Sequence, residues 1–191
     1  VISEELCPQY SRPMISDFIS GEATFPEMMC REDDFWRKNN VQTSMGRKAA
    51  AINFQEKHVT LDNGECVVYE KLLIATGGKP FVPKMEGADK DGVFTFTTIS
   101  DAQRLAEKLE NSQRIVVIGA GLIGVSVTEA LVERGLKVTL VELQNKILSL
   151  LLDANGSDIM ENIIRKAGVE IVTGQSVQKI IGKPENDHVV G

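Results

Sequence analysis

The chain has 191 residues, of which 42% are hydrophobic, and its formal net charge is -6. This length allows a substantial core, in one large domain or in two smaller ones. The acidic balance, without a block of basic residues, argues against nucleic-acid binding, and no apolar run is long enough to span a bilayer. The first residues lack the pattern of a secretory signal, so we expect a cytoplasmic protein without a membrane or nucleic-acid partner.

The cysteines and histidines show no metal-binding pattern. Cys7, Cys30 and Cys66 form neither a CxxC motif nor a zinc spacing. We expect three reduced thiols that mostly pack as small apolar residues. His58 and His188 each stand alone in sequence, so no metal site is expected.

The first forty residues are mixed in character. Residues 1–3 read as the tail of a strand that is already under way, and residues 16–19 open a short helix. Residues 31–40 (REDDFWRKNN) predict a polar helix with Phe35 and Trp36 turned inward.

A strand-rich stretch follows. The pair Asn63-Gly64 lies between apolar alternations and predicts a hairpin turn in which both residues have positive φ. Residues 71–75 (KLLIA) are fully apolar after the lysine and predict a short buried parallel strand. The other predicted strands are residues 47–54, 57–62 and 65–70.

Residues 77–96 are rich in glycine and proline and predict a connector, so we place a domain boundary at residues 98/99. A helix is predicted to begin at Ser100, with Gln103 completing a capping box. Its apolar face consists of Ala102, Leu105, Ala106 and Leu109.

The second half of the chain alternates strands and helices, which predicts an α/β fold. Residues 114–118 form a strand, a helix follows and ends at Gly135, and a second strand ends on Glu142. A further helix near residues 157–166 is followed by a strand at residues 169–172. The last fifteen residues predict a hairpin with KPEND as its turn, and the second strand of this hairpin has barely begun. We therefore expect the chain to be a piece of a longer polypeptide.

The turn between the first two of these strands has the sequence GAGLIG. Gly119 permits a tight turn, Gly121 lets the backbone approach a pyrophosphate, and Gly124 lets the helix pack closely. The amides of Leu122 and Ile123 open the helix and favour an anion. The alternative is a tight strand-helix turn in an unrelated α/β protein.

Glu142 lies 18 residues after Gly124, at the end of the second strand. A carboxylate there accepts hydrogen bonds from both hydroxyls of an adenosine ribose and repels a 2′-phosphate. The next residues, LQN, contain no arginine. The sequence therefore predicts NAD(H) rather than NADP(H).

Three segments in this order resemble one family: YSRPMIS, YEKLLIATGGKPFVPKMEG and the stretch at residues 115–142. The resemblance is to the FAD- and NAD(P)-dependent pyridine nucleotide-disulfide oxidoreductase superfamily. It is strongest to flavoprotein reductases that serve rubredoxin, ferredoxin or nitrite-reducing partners. It implies a Rossmann-like NAD-binding domain inserted into a partial FAD-binding three-layer domain. Residues 1–98 would be the FAD part with the connector, and residues 99–191 the NAD(H) part.

The resemblance also implies a partial flavin site, although the GxGxxG that holds FAD in such proteins does not occur before residue 119. The alternative for Arg12 is an ordinary surface cation. The implied FAD contacts are Glu4 at the ribose, Ser11, Arg12 and Pro13 near the flavin and pyrophosphate, Ala49 at the adenine, and Ala75, Thr76 and Gly77 in an ATG turn.

Two departures from the family concern its redox chemistry. The single redox cysteine of the related oxidases and peroxidases would fall at Pro13. A lysine and a glutamate that meet beside the flavin in many of these reductases are replaced by Asp17 and Ser126. Catalytic residues are therefore left unassigned.

The expected activity is transfer of hydride from NADH to flavin, and of electrons onward to an acceptor protein or a small oxidant. One alternative is a thiol-dependent NADH oxidase, peroxidase or CoA-disulfide reductase. Another is an NAD(H)-binding module without catalysis. The resemblance is compatible with a homo-oligomer.

Overall fold

The computed structural model describes residues 1–182 and 189. Two 3-10 turns, Arg12–Met14 and Phe25–Met28, accompany the regular elements. The helices are α1 (Ile15–Ser20), α2 (Phe35–Lys38), α3 (Ile99–Leu109), α4 (Leu122–Glu133) and α5 (Ala154–Lys166). The strands are β1 (Ile2–Ser3), β2 (Ser44–Met45), β3 (Ala49–Asn53), β4 (His58–Leu61), β5 (Cys66–Val68), β6 (Arg114–Ile118), β7 (Lys137–Val141) and β8 (Glu170–Val172).

The chain forms two compact units. The first consists of Val1–Ser11 and Phe25–Lys79, and the second of Arg12–Thr24 and the chain from Pro80 onward. The two units are compact by their packing, whereas the predicted boundary at residues 98/99 would separate an FAD-binding part from an NAD(H)-binding part. That division stays a prediction.

The first unit is built from two small sheets. β1 and β2 pair in parallel, and β3, β4 and β5 form an antiparallel meander. Val59 and Leu61 alternate with more exposed residues along β4 and are 3% and 1% exposed. The three strands predicted between residues 47 and 70 are therefore present, each shorter than predicted.

The hairpin turn between β4 and β5 differs from the prediction in one residue. Gly64 has φ +84°, but Asn63 is not among the described residues with positive φ. Leu61 N–H donates to Glu65 O at 2.8 Å, which leaves a three-residue loop ending in the left-handed glycine. Asn63 Oδ1 accepts from Glu65 N–H at 3.1 Å, a local bond that favours this loop over two left-handed residues.

Two predicted elements of the first unit are wrong in extent or kind. The predicted helix at residues 31–40 is reduced to α2, which ends as Asn39 Nδ2 donates to Phe35 O and Asn40 turns to φ +53°. Phe35 and Trp36 are half-buried and meet edge to face at 5.1 Å between ring centroids. Residues 71–75 form no strand and are exposed, because no described strand pairs with them and an isolated strand has no stability.

The second unit contains a parallel sheet in the order β6-β7-β8. α4 connects β6 to β7 and α5 connects β7 to β8, as the alternation of the sequence predicts. α4 packs against β7. The buried residues of these two elements include Val138 and Leu140 of β7 and Leu131 of α4, each 3% or less exposed. α1 packs against both α3 and α4.

α3 begins one residue earlier than predicted, and its capping box uses other residues. Thr98 is the N-cap: its side chain accepts from Asp101 N–H at 3.2 Å, and Asp101 Oδ2 accepts from Thr98 N–H at 3.0 Å. Ser100 and Gln103 therefore do not form the box. Of the predicted apolar face, Ala102, Leu105 and Leu109 are buried, which confirms its direction.

Asp101 is a buried carboxylate, only 7% exposed. Burial by itself raises the pKa of Asp101. Hydrogen bonds from the Thr98 backbone, the Arg104 guanidinium, the Thr98 hydroxyl and the Thr97 backbone outweigh burial and hold the pKa of Asp101 below its usual value of 3.8. Arg104 Nη2 lies 2.6 Å from Asp101 Oδ1.

α5 begins at Ala154, three residues before the prediction, because Asp153 Oδ1 caps it by accepting from Gly156 N–H at 2.8 Å. The left-handed Gly168 (φ +91°) follows its end, as predicted. Gly182 and Val189 form an antiparallel bridge in the region of the predicted final hairpin. The predicted turn at residues 183–187 lies outside the described residues.

Candidate functional site

The glycine turn joins β6 to α4 in the second unit. Gly119 has φ +98°, and its N–H donates to Val141 O at 2.8 Å, which ties the turn to the end of β7. A Cβ on Gly124 would lie 1.8 Å from Gly119 O, so only glycine allows the helix to approach the turn this closely. A Cβ on Gly121 would meet nothing within 4 Å, so the space above this residue is open.

The first turn of α4 presents backbone donors to that open space. Gly121 is the N-cap and offers no side-chain cap. The amides of Leu122 and Ile123 have no intrahelical partner, because the first N–H groups of any helix have none. Both side chains are more than half exposed. The dipole of a twelve-residue helix adds a partial positive charge, so the end suits an anion.

The carboxylate of Glu142 is fixed beside this turn. Oε2 accepts from Ala120 N–H at 2.7 Å and Oε1 accepts from Gln144 N–H at 2.8 Å. The residue is half-buried and directly follows β7. Each carboxylate oxygen accepts two hydrogen bonds, so both oxygens keep capacity for a ligand hydroxyl.

Sequence reasoning predicted Glu142 as a site residue but did not predict the two residues whose amides hold it. Ala120 is fully buried, and Gln144 is exposed and contributes only its backbone. Backbone amides carry no residue-type signal. The small residue between two glycines of the turn is the one sequence feature that could have drawn attention to Ala120.

Two of the predicted flavin contacts lie close together in the first unit. Glu4 follows β1, and its Oε1 lies 4.0 Å from Lys48 Nζ; Lys48 precedes Ala49, the first residue of β3. Arg47 N–H donates to Ser3 O at 2.9 Å, which brings the two segments side by side.

The other predicted flavin contacts lie in three places. Ser11 N–H donates to Met28 O at 2.8 Å in the first unit. Arg12 and Pro13 lie in the 3-10 turn before α1, where Arg12 Nη1 donates to Thr97 O at 3.0 Å. Residues 75–77 are exposed irregular backbone with Gly77 at φ +67°. Contact of any of these residues with FAD stays a prediction.

The two positions that depart from the family pattern lie on neighbouring helices. Asp17 is in α1 and Ser126 is in α4, and these helices pack against each other. Both residues are half-buried.

The thiols are placed differently from the prediction. Cys30 and Cys66 are exposed and Cys7 is half-buried, so the expectation that they mostly pack in the core is wrong. The short strand β5 and the turn after Met29 leave these side chains at the surface. His58 lies on β4 with Nδ1 3.5 Å from Glu56 Oε2, and His188 lies outside the described residues.

The described part of the chain shows neither a metal-binding cluster nor a membrane-spanning helix. Residues 1–182 and 189 contain no group of three or more metal-ligating side chains placed to hold a metal ion. Among the described helices, none combines the length and the apolar composition needed to cross a membrane.

The chain is similar to known proteins in both sequence and structure. The subunit epsilon of NADH-dependent phenylglyoxylate dehydrogenase from Aromatoleum evansii is 33% identical over 180 residues, which cover 94% of this chain and 43% of the relative. Putidaredoxin reductase in its covalent complex with putidaredoxin is 27% identical with a TM-score of 0.91, covering 98% of this chain and 46% of that one. The water-forming NADH oxidase of Lactobacillus brevis, bound to NADH, is 27% identical with a TM-score of 0.88, covering 96% and 42%.

These likenesses confirm the predicted α/β fold of the Rossmann type. The chain spans less than half the length of each of these three relatives. The family described as "Pyridine nucleotide-disulphide oxidoreductase" matches residues 1–191, the whole sequence. The chain belongs to the pyridine nucleotide-disulphide oxidoreductase family.

Proposed function

We propose that this chain is the NADH-binding part, together with a portion of the FAD-binding part, of a flavoprotein oxidoreductase that takes hydride from NADH. The observation that carries the proposal is the glycine turn with Glu142 fixed beside it: open space above Gly121, free amides at Leu122 and Ile123, and a carboxylate with spare acceptor capacity. The family membership and the NADH-bound oxidase relative support it.

The residues of the turn have separable tasks in binding NADH. The amides of Leu122 and Ile123 would hold the pyrophosphate, and Glu142 would accept from the hydroxyls of the adenosine ribose. Two like unit charges 4 Å apart repel by about 4 kcal/mol near a protein surface, and salt reduces this. Glu142 would therefore disfavour the 2′-phosphate of NADPH.

The proposed cofactors are NAD(H) and FAD. Small residues at Ala49, Ala75 and Gly77 would allow a cofactor close to the backbone, and Glu4 would lie near the ribose of FAD. FAD supplies the chemistry that accepts hydride and releases electrons singly or in pairs. Ser11, Arg12 and Pro13 would hold the flavin and the pyrophosphate in place, and the protein would exclude water from between the stacked rings.

For the acceptor, we propose a partner protein or a small oxidant. Of the relatives, one is in a covalent complex with putidaredoxin, and another is described as water-forming. The proposed compartment is the cytoplasm, in which reduced thiols persist.

A thiol relay is the second candidate, since Cys30 and Cys66 are exposed. Against it, Pro13 stands where the redox cysteine of related oxidases falls, and a relay requires a thiolate beside the flavin. We expect NADH-dependent turnover of the FAD-loaded protein to be unchanged in Cys7→Ser, Cys30→Ser and Cys66→Ser. A large loss of turnover in one variant would identify a redox cysteine and establish the thiol-dependent alternative.

The first experiment is the visible absorption spectrum of the purified chain, followed by titration with NADH. A flavin band and saturable NADH binding support the oxidoreductase. NADH binding without a flavin band, even after FAD is added, supports the non-catalytic NAD(H)-binding module for this chain. Absence of NADH binding refutes the proposal.

A further inference from the structure

The loop after β7, residues 142–148, is bonded to the glycine turn at both of its ends. Ala120 N–H donates to Glu142 Oε2 at 2.7 Å, and Ala120 O accepts from Leu148 N–H at 2.8 Å. Ala120 is fully buried. The loop and the turn therefore meet through the two backbone groups of one residue.

Leu148 adopts an unfavourable backbone conformation at this junction. Its φ is +52°, in the left-handed region, and its side chain is 8% exposed. A bulky non-glycine residue rarely adopts this conformation, and it persists only where the surroundings hold it in place.

The first turn of α5 supplies that hold. Ser157 Oγ donates to Ile147 O at 2.8 Å, with Ser157 1% exposed and Ile147 fully buried. Next to this bond, Lys146 forms an ion pair with Asp158 of the same helix turn. α5 is thereby fastened to the loop immediately before Leu148.

The peptide unit between Ile147 and Leu148 connects these contacts. Its C=O is held by Ser157, and its N–H is the group that donates to Ala120. Because a peptide unit is planar, fixing the carbonyl also fixes the direction of the N–H. Ser157 therefore sets the direction of the Leu148 N–H that bonds to Ala120 O, and the N–H of Ala120 in turn bonds to Glu142.

We propose that Ser157 is a positioning residue for the NADH site: it touches no cofactor, but through the 147–148 peptide and Ala120 it fixes the Glu142 carboxylate relative to the glycine turn. The inference rests on the proposed function. In this proposal, the buried hydroxyl of Ser157 contributes to the affinity for the adenosine ribose and the pyrophosphate.

The test is Ser157→Ala with Thr128→Val as its matched control. Thr128 is also 1% exposed and its hydroxyl also makes one bond to a backbone carbonyl, donating to Gly124 O at 2.7 Å within α4. Dissociation constants for NADH and for ADP-ribose are measured by titration, and stability by urea unfolding. Ser157→Ala should weaken binding of both ligands roughly 3- to 10-fold, no more than the contribution of one hydrogen bond, because the 147–148 peptide unit is then no longer fixed. Thr128→Val should lose similar stability but keep its affinity.

A double-mutant cycle distinguishes positioning from general destabilisation. If Ser157 acts through Glu142, Ser157→Ala should change ADP-ribose affinity by less than about twofold when Glu142→Ala is already present. An undiminished effect in that background, or wild-type affinity in the Ser157→Ala single variant, overturns the inference alone. A wild-type chain that binds neither NADH nor ADP-ribose overturns the proposed function with it.

If Ser157→Ala does not fold, hydrogen exchange on the wild type replaces it. The amide hydrogens of Ala120 and Leu148 should be protected without ligand and should gain protection together when ADP-ribose is added. Exchange of the Leu148 amide at the rate of an unprotected amide overturns the inference.

Discussion

Replacing Gly124 by alanine should mainly lower the stability of the fold, whereas replacing Gly121 by alanine should mainly weaken NADH binding. A Cβ at Gly124 would lie 1.8 Å from Gly119 O, whereas real Cβ contacts essentially never fall under 3.0 Å. α4 or the turn must therefore move by more than an ångström. Overpacking against rigid backbone costs about 3 kcal/mol, and alanine in the helix returns about 1 kcal/mol of propensity. We expect Gly124→Ala to lose about 2 kcal/mol of unfolding free energy.

Gly121→Ala should be nearly neutral for folding. Its φ is -77°, which alanine adopts without strain, and the added Cβ meets nothing within 4 Å. Alanine at an N-cap costs up to about 1 kcal/mol relative to glycine, and the smaller entropy of the unfolded chain offsets about half of that or more. The methyl group instead enters the space proposed for the pyrophosphate. Loss of one hydrogen bond to a charged group weakens NADH binding about 10- to 100-fold.

Urea unfolding and NADH titration of both variants test these expectations. Wild-type stability in Gly124→Ala would refute the close approach of α4 to the turn. Wild-type NADH affinity in Gly121→Ala would refute the pyrophosphate site above it.

Two further predictions concern carboxylates. Glu142→Ala should weaken NADH binding about 30-fold or more, because two hydrogen bonds to a charged group are lost. It should also lower urea-measured stability by about 1 to 3 kcal/mol, because the buried Ala120 amide loses its acceptor. The control for Glu142→Ala is Glu170→Ala, because Glu170 of β8 also carries a carboxylate that accepts one bond, from Thr139 Oγ1 at 3.1 Å. Equal NADH affinity in Glu142→Ala and wild type would remove Glu142 from the site. Asp101→Asn should cost about 1 kcal/mol near neutral pH. The pKa of Asp101 is lowered in the folded state, so the stabilising effect of this carboxylate is complete above about pH 4. The effect is lost as the pH falls through the folded-state pKa. On acidification, the urea-measured stability of Asp101→Asn should therefore fall less than that of wild type.

The second half of the chain was predictable because its signals are local. The strand-turn-helix of β6 and α4 follows from an apolar run, three glycines and an amphipathic helix, all contiguous in sequence. The wrong capping box illustrates the limit of such reasoning. Thr98 and Ser100 are both hydroxyl residues, but Asp101, three residues after Thr98, supplies a stronger acceptor than Gln103.

Features that depend on distant partners were not predictable. The apolar run at residues 71–75 has the composition of a buried strand, yet strand formation requires a neighbouring strand, which the described residues do not provide. The turn type at Asn63-Gly64 was missed for a different reason: the pair permits two turn types, and the local bond from Glu65 N–H to Asn63 Oδ1 accompanies the three-residue loop.

The candidate site combines local sequence signals with contacts that the sequence does not show. Residue types predicted the chemical tasks of the turn and of Glu142, but the way in which the carboxylate is held is a property of backbone groups. Because Ala120 N–H is committed to Glu142, the donors left for a pyrophosphate are the first amides of α4, at Leu122 and Ile123. The proposed ribose-binding carboxylate and the proposed phosphate-binding amides are therefore joined through the hydrogen-bonded backbone of the turn. Removing Glu142 would change more than charge, since it would also leave the Ala120 and Gln144 amides without an acceptor. Two such donors suit a 2′-phosphate, so a Glu142→Ala chain should lose its preference for NADH over NADPH as well as its affinity for NADH.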